Sequence, residues 1–144
     1  MRAEFTIPGE PCGKGRPRFT KAGHTYTPQK TAVYENLVKL EYERQCSGIR
    51  FDEGAVGIKI TAYFAVPKSV SQKKKSEMIS GNVFPTKKPD ADNILKIVAD
   101  ALNGIAYGDD KQVVTAQVQK QYAEQAHTKV EIWEVGKGVN EMQA

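Results

Sequence analysis

Five aspartates, at positions 90, 92, 100, 109 and 110, fall within a short span whose only basic residue is Lys96. The chain before them is basic. Residues 68–88 carry six lysines against one glutamate, and residues 11–30 carry five basic residues and no acidic one. Carboxylates set inside a basic chain have a direct chemical reading: a positive surface draws in a polyanion, and hard oxygen ligands hold a divalent cation that acts on it.

The spacing sharpens that reading. Pro89-Asp90-Ala91-Asp92 reads as extended, so Asp90 and Asp92 point the same way, and Asp92 suits the N-cap of the helix that follows. Lys96 lies one turn further on and faces the same helix end. Gly108-Asp109-Asp110 offers a third carboxylate if the next strand pairs beside that helix. Alternation puts Asp110 with Val114, Ala116 and Val118 on the helix side, with Asp109 as its substitute. Magnesium, or manganese in its place, binds a few such carboxylates and takes its other oxygens from water and phosphate. Lys96 would steady charge on the phosphoryl group or orient a water, and Asp100 at i+4 would pair with Lys96. Singly, each feature has an ordinary explanation as a cap, a turn or a surface pair.

Other sites are excluded. Gly9, Gly13 and Lys14 imitate a phosphate loop, but the spacing is one residue short and Gly15 stands where Ser or Thr is needed, so no nucleotide cofactor is expected. A calcium loop starting at Asp90 fails at Leu95, where the turn glycine belongs. Cys12, Cys46, His24 and His127 do not have zinc-site spacing. What remains of the early loop is a Gly- and Pro-stiffened segment presenting Lys14, Arg16 and Arg18 to phosphate. Lys73-Lys74-Lys75 and Lys88, next to Lys87, are further candidates for contact with nucleic acid.

The elements that must position these residues read in order. A net charge of +4, 40% hydrophobic and 26% charged residues suit one ordinary globular domain of 144 residues. Without a signal peptide or a long apolar run, a cytoplasmic chain with reduced thiols and no membrane partner is expected. Residues 2–8 alternate as a strand. Thr27-Pro28 starts a helix running to about Cys46, with Val33, Leu37 and Leu40, widened by Tyr34 and Val38, as its apolar stripe. Residues 55–66 form the clearest strand, and residues 69–79 a short helix bearing the lysine run. From Asp92 to Gly104 the pattern is sharply helical, with Ile94, Leu95, Ile97, Val98, Ala101, Leu102 and Ile105 on one face. Strands follow over 111–122 and about 127–135, then a frayed tail after Gly136.

Taken together, Lys14-Gly15-Arg16-Pro17-Arg18-Phe19-Thr20, Tyr26-Thr27-Pro28, Lys88-Pro89-Asp90-Ala91-Asp92-Asn93-Ile94-Leu95-Lys96, Asp100-Ala101-Leu102-Asn103-Gly104 and Tyr107-Gly108-Asp109-Asp110 resemble the RusA-type Holliday-junction resolvases over roughly residues 5 to 135. The resemblance implies an α+β fold, a mixed sheet with helices packed against it in the order β-α-β-α-α-β-β. It implies a homodimeric, Mg²⁺-dependent endonuclease that binds branched DNA and nicks four-way junctions symmetrically. The catalytic aspartates would fall on Asp90, Asp92 and, by best match, Asp110, the essential lysine on Lys96, and the Lys14–Arg18 loop would contact DNA. The competing readings are a nuclease preferring flaps or forks and a catalytically silent DNA-binding protein.

Overall fold

The computed structural model of the chain describes residues 1–15, 18–19, 21–23, 25–26 and 28–136. In chain order its elements are β1 (Arg2–Pro8), the two-residue strands β2 (Arg18–Phe19) and β3 (Thr25–Tyr26), α1 (Gln29–Gln45), β4 (Val56–Ala65), α2 (Gln72–Ile79), α3 (Ala91–Ala101), a 3₁₀ turn (Asp110–Gln112), β5 (Val113–Ala123) and β6 (His127–Glu134). The expected α+β order holds, with a small β2–β3 hairpin added inside the early loop. Thr27, Arg16 and the expected frayed tail after Gly136 lie outside the described residues.

The main sheet runs β1-β6-β4-β5. β1 and β4 each pair antiparallel with β6, whereas β4 and β5 are parallel and joined through α2 and α3. β4 is buried on both faces, as a central strand must be. Val56, Ile58, Ile60, Ala62 and Phe64 meet Val130 and Ile132 of β6 and the apolar face of α3, where Ile94, Ile97, Val98, Ala101 and Leu102 are buried. The 3.6-residue period of α3 and the 2-residue period of β4 thus close one core between them.

Three details depart from expectation. α3 begins at Ala91, so Asp90 is the N-cap residue and Asp92 lies in the first turn; Asp90 and Asp92 do not share an extended segment. α1 begins at Gln29, with Pro28 as the half-in residue at its start, and buries Thr31, Tyr34, Val38, Glu41 and Tyr42, while Val33 and Leu40 are each 60% exposed. The buried polar positions explain that rotation. The Thr31 hydroxyl accepts from the Gly15 N–H at 3.0 Å, and the Glu41 carboxylate accepts from Arg44 and Gln45 at 2.6 and 2.7 Å, so neither is buried unpaired. Finally, β5 starts at Val113 and residues 114–117 are exposed; the side of Ala116 and Val118 faces the helices as expected, but only Val118 and Tyr122 pack against the core there.

The two sheet edges are treated differently. At β1 the Gln45 side chain bonds both the N–H and the carbonyl of Thr6, at 2.9 and 2.8 Å, and the Cys46 thiol donates to the Glu4 carbonyl at 3.2 Å. Side chains from α1 therefore occupy the edge that β1 would otherwise offer to another strand. Both cysteines are free and buried.

A candidate carboxylate centre

The site is built where the start of α3, the early loop and the 3₁₀ turn meet. Asp92, Lys96 and Asp100 are spaced four residues apart, which stacks them along one side of α3. Asp110 faces them from the 3₁₀ turn. Together with Leu95, Ala99 and residues 113–116 they line an open groove of about 430 Å³.

The turn that carries Asp110 is held by Gln112. Its carbonyl oxygen accepts from the N–H groups of Gly108 and Asp109, at 2.8 and 3.1 Å, and its amide donates to the carbonyls of Phe51 and Gly54, both at 3.1 Å. Asp109 is engaged as the cap of the turn, its carboxylate accepting from the Lys111 N–H at 2.8 Å. Asp110 is left free to face α3. Alternation along a strand was the wrong reason to favour Asp110 over Asp109, because both precede β5; the cap is the physical one. Tyr107, fully buried, ties the turn to the helix. Its hydroxyl donates at 2.8 Å to the carbonyl of Ala99, an acceptor at the helix C-terminus that the next N–H bypasses, since Asn103 bonds Asp100 instead. Burial, and then the charges of Asp110, Asp100 and Asp109, push the Tyr107 phenol far above its ordinary value and keep it protonated.

Lys14 reaches the centre from the other side. Its ammonium lies 2.6 Å from Glu35 of α1 and 3.3 Å from Asp100, and Asp100 also receives Lys96 at 3.3 Å. Two glycines make that approach possible. A Cβ at Gly13 would stand 2.8 Å from Cβ of Pro89, and one at Gly15 would stand 2.6 Å from the Thr31 hydroxyl oxygen. The loop is then fixed by the Lys14 N–H donating to the Asn93 carbonyl at 3.0 Å. Glycine at these positions serves contact between backbone and neighbour, not a phosphate.

Electrostatically the cluster is short of positive charge. Asp92, Asp100, Asp110 and Glu35 face two ammonium groups, Lys14 and Lys96, which leaves a formal charge of −2. Burial, then hydrogen-bonding contact with Asp100 and Asp109 and the charges of both, raise the Asp110 carboxyl above its ordinary value. Asp100 moves the other way: burial alone would raise it, but the hydrogen bond with Asp110, together with Lys14 and Lys96, outweighs that and lowers it. The opposite shifts mark two carboxyl groups competing for the same limited positive charge, with Asp100 the better compensated of the two.

Several expected residues lie elsewhere. Asp90 is exposed, does not cap the helix with its side chain and is not part of the groove lining. Among the described residues, no three His, Cys, Asp or Glu side chains stand close enough to hold a metal as they are. Lys75 pairs with Glu124 at 3.5 Å, beyond the far end of β5. That strand rises about 3.3 Å per residue, so the lysine run of α2 lies roughly 30 Å from Asp110. Lys88 borders a separate cleft formed by the early loop and Phe64. Asp100 and Glu35 are the centre members that sequence reasoning missed. The i, i+4 spacing showed Asp100 only as a partner of Lys96, and nothing local linked Glu35 to Lys14.

Comparison with known proteins now bears on this geometry. The family described as Endodeoxyribonuclease RusA matches residues 8–133, a stretch containing every member of the centre. The chain belongs to the RusA endodeoxyribonuclease family. It is also 39% identical over 137 residues to the uncharacterized protein YqaN of Bacillus subtilis strain 168, an alignment covering 92% of this chain and 96% of that one. Family membership bears out the resemblance carried by the separate motifs and makes DNA strand cleavage the activity to be explained. RusA-type chemistry is in keeping with an open groove of hard oxygen donors beside lysines.

Proposed function

We propose that this chain is a divalent-metal-dependent endonuclease that resolves four-way DNA junctions by nicking two strands symmetrically as a homodimer. The observation that carries the reading is the Asp100–Asp110 contact in a groove that also holds Asp92 and Lys96. Two carboxyl groups in contact within a cluster of net negative charge suit a dication, which supplies the counter-charge that the two lysines leave incomplete. Asp92 and Asp110 would hold magnesium or manganese, with Asp90 the third ligand by family resemblance and Asp100 an oxygen that the geometry adds. The metal, when bound, would supply Lewis acidity and an activated water. Lys96, 61% exposed at the groove mouth, would place its ammonium against the scissile phosphate. Lys14, hydrogen-bonded to Glu35 and Asp100, would hold Asp100 in place more than touch DNA. Arg16, Arg18, Lys88 and Lys73–Lys75 are proposed contacts to the junction arms.

A two-fold dimer suits a junction, which offers two equivalent phosphates to two equivalent sites. The β5 edge, exposed on both faces over residues 114–117, supports that arrangement because the opposite sheet edge is already occupied by Gln45. The test is a synthetic four-way junction incubated with the protein and Mg²⁺, with Asp92→Asn as control. Paired nicks from the wild type, with binding retained but cleavage reduced by orders of magnitude in Asp92→Asn, are expected. Normal cleavage by Asp92→Asn would remove the metal assignment.

A further inference from the structure

A second cavity is larger than the carboxylate groove. It is a cleft of about 700 Å³ on the other side of the seam where Gly13 packs against Pro89, and it is bordered by Lys30, Lys87 and Lys88 with Phe64 and Cys12 lining it. Phe64 is buried in the core, yet two ammonium groups stand over its ring, Lys87 at 5.6 Å and Lys120 at 5.5 Å from the centroid. Lys120 also donates to the carbonyl of Lys87. Cation–π attraction therefore gathers two like charges around one aromatic ring, where they repel each other unless an anion joins them.

The cleft lysines are among those without a carboxylate partner, as are Lys39, Lys59, Lys68, Lys73, Lys74 and Lys111 elsewhere among the described residues. Lys14, Lys75, Lys96 and Lys129 each lie within 3.5 Å of a carboxylate, whereas Lys30, Lys87, Lys88 and Lys120 enter no ion pair among the described residues. Glu10 is the one acidic residue bordering the cleft. Burial raises the Cys12 thiol above its ordinary value, which disfavours the thiolate. Pro89 belongs to the cleft wall and Asp90 follows it directly, so a strand leaving the carboxylate groove across the start of α3 meets Lys88 and Lys87 next.

We infer that this cleft is a second phosphodiester-binding site, in which Lys30, Lys87 and Lys120 grip the backbone of a DNA arm while the carboxylates act on a phosphate across the Gly13–Pro89 seam. The inference rests on the nuclease reading above, and it assigns Lys30, Lys87 and Lys120 a role that neither the motifs nor the centre required. The ligand is a run of phosphates and not a single one, because the cations are spread over three elements around an open cleft.

The experiment compares two double variants of the full chain, Lys30→Gln/Lys87→Gln and, as a control of equal charge, Lys59→Gln/Lys129→Gln on the helix-free face of the sheet. Binding to a four-way junction is measured in EDTA across salt concentration, and nicking in Mg²⁺ at saturating protein. The cleft pair should bind about tenfold more weakly, with a salt slope reduced by roughly two, as expected for two lost phosphate contacts. Its nicking rate at saturation should stay within twofold of wild type, and the control pair should keep the wild-type slope. If the wild type nicks junctions but the cleft pair binds like the wild type, or no worse than the control pair, the cleft assignment is wrong and the nuclease reading stands. If the wild type itself neither binds nor nicks junctions, the nuclease reading fails and takes the cleft with it.

Discussion

Replacing Asp110 by asparagine should stabilise the metal-free protein and abolish its response to magnesium, two effects of opposite sign from one atom's change. Two unit charges in carboxyl contact repel by about 4 kcal/mol at an effective dielectric of about 20. Lys14 and Lys96 already offset the Asp100 charge and the groove is open to water, which brings the net relief down to about 1 kcal/mol. Asparagine keeps the hydrogen bond, since its amide donates to the Asp100 carboxylate without borrowing a proton. In a chain of 144 residues that gain raises Tm by roughly 3 °C in EDTA. The pH window follows from the raised Asp110 value. Below the ordinary carboxylate range Asp110 is protonated, its hydrogen bond is intact and variant and wild type melt together. As pH rises through the raised folded value, that stabilising contribution is lost from the wild type only, so the gap opens and then stays constant. Magnesium at one hundred times its Kd should add about 2.7 kcal/mol to the wild type and very little to the variant. The assay is thermal unfolding of both proteins in EDTA and in a Mg²⁺ titration, at acidic and neutral pH. A variant that melts lower in EDTA at neutral pH and still gains the full magnesium shift would refute both the repulsion and the placement of the metal at Asp110.

Three further outcomes are expected. Tyr107→Phe removes the hydrogen bond to the Ala99 carbonyl and should cost about 1–2 kcal/mol, measured by urea unfolding, with a weaker apparent affinity for magnesium as the turn loosens. Gln112→Ala releases the Gly108–Asp110 turn from Phe51 and Gly54; magnesium titration should show a rise in half-saturating metal while junction binding in EDTA stays unchanged. Arg16→Ala should weaken junction binding and reduce the salt slope by about one, and an unchanged slope would remove that loop from the DNA contact.

The fold was largely legible in the sequence, for reasons that can be traced to particular elements. α3 and β4 carry strong, unmixed periods, and each meets the other's apolar face, so pattern and packing agree. α1 was misread because Thr31 and Glu41 are buried with partners supplied by Gly15 and by Arg44 and Gln45, while Val33 and Leu40 are left outside. Counting apolar residues cannot register a polar side chain whose partner lies elsewhere. The alternation of β5 is real, and Val118 and Tyr122 pack against the core as it requires, but a parallel edge strand joined to β4 on one side need not be covered on either face over 114–117. The start of α3 was off by two residues because Asp90 and Asp92 are chemically equivalent caps, and only the backbone chooses between them.

The candidate site divides along the same line. Asp92 and Lys96 were legible because one helix fixes their spacing, whereas Asp110 was favoured by a strand alternation that does not reach it, since it lies in the 3₁₀ turn before β5. Asp100 was seen and assigned to Lys96 as a surface pair, which is correct as far as α3 alone is concerned. Its environment changes when Lys14 arrives with Glu35 from outside the helix, and that arrival depends on Gly13 and Gly15 admitting Pro89 and Thr31 at distances no other residue tolerates. Lys14 and Lys96 help hold Asp100 below its ordinary value, while burial and the contact with Asp100 raise Asp110 above its own, so the demand for a further counter-charge falls on Asp110. Gly13 and Gly15 thus act on the centre without touching a phosphate: they admit the lysine that helps hold Asp100 below its ordinary value.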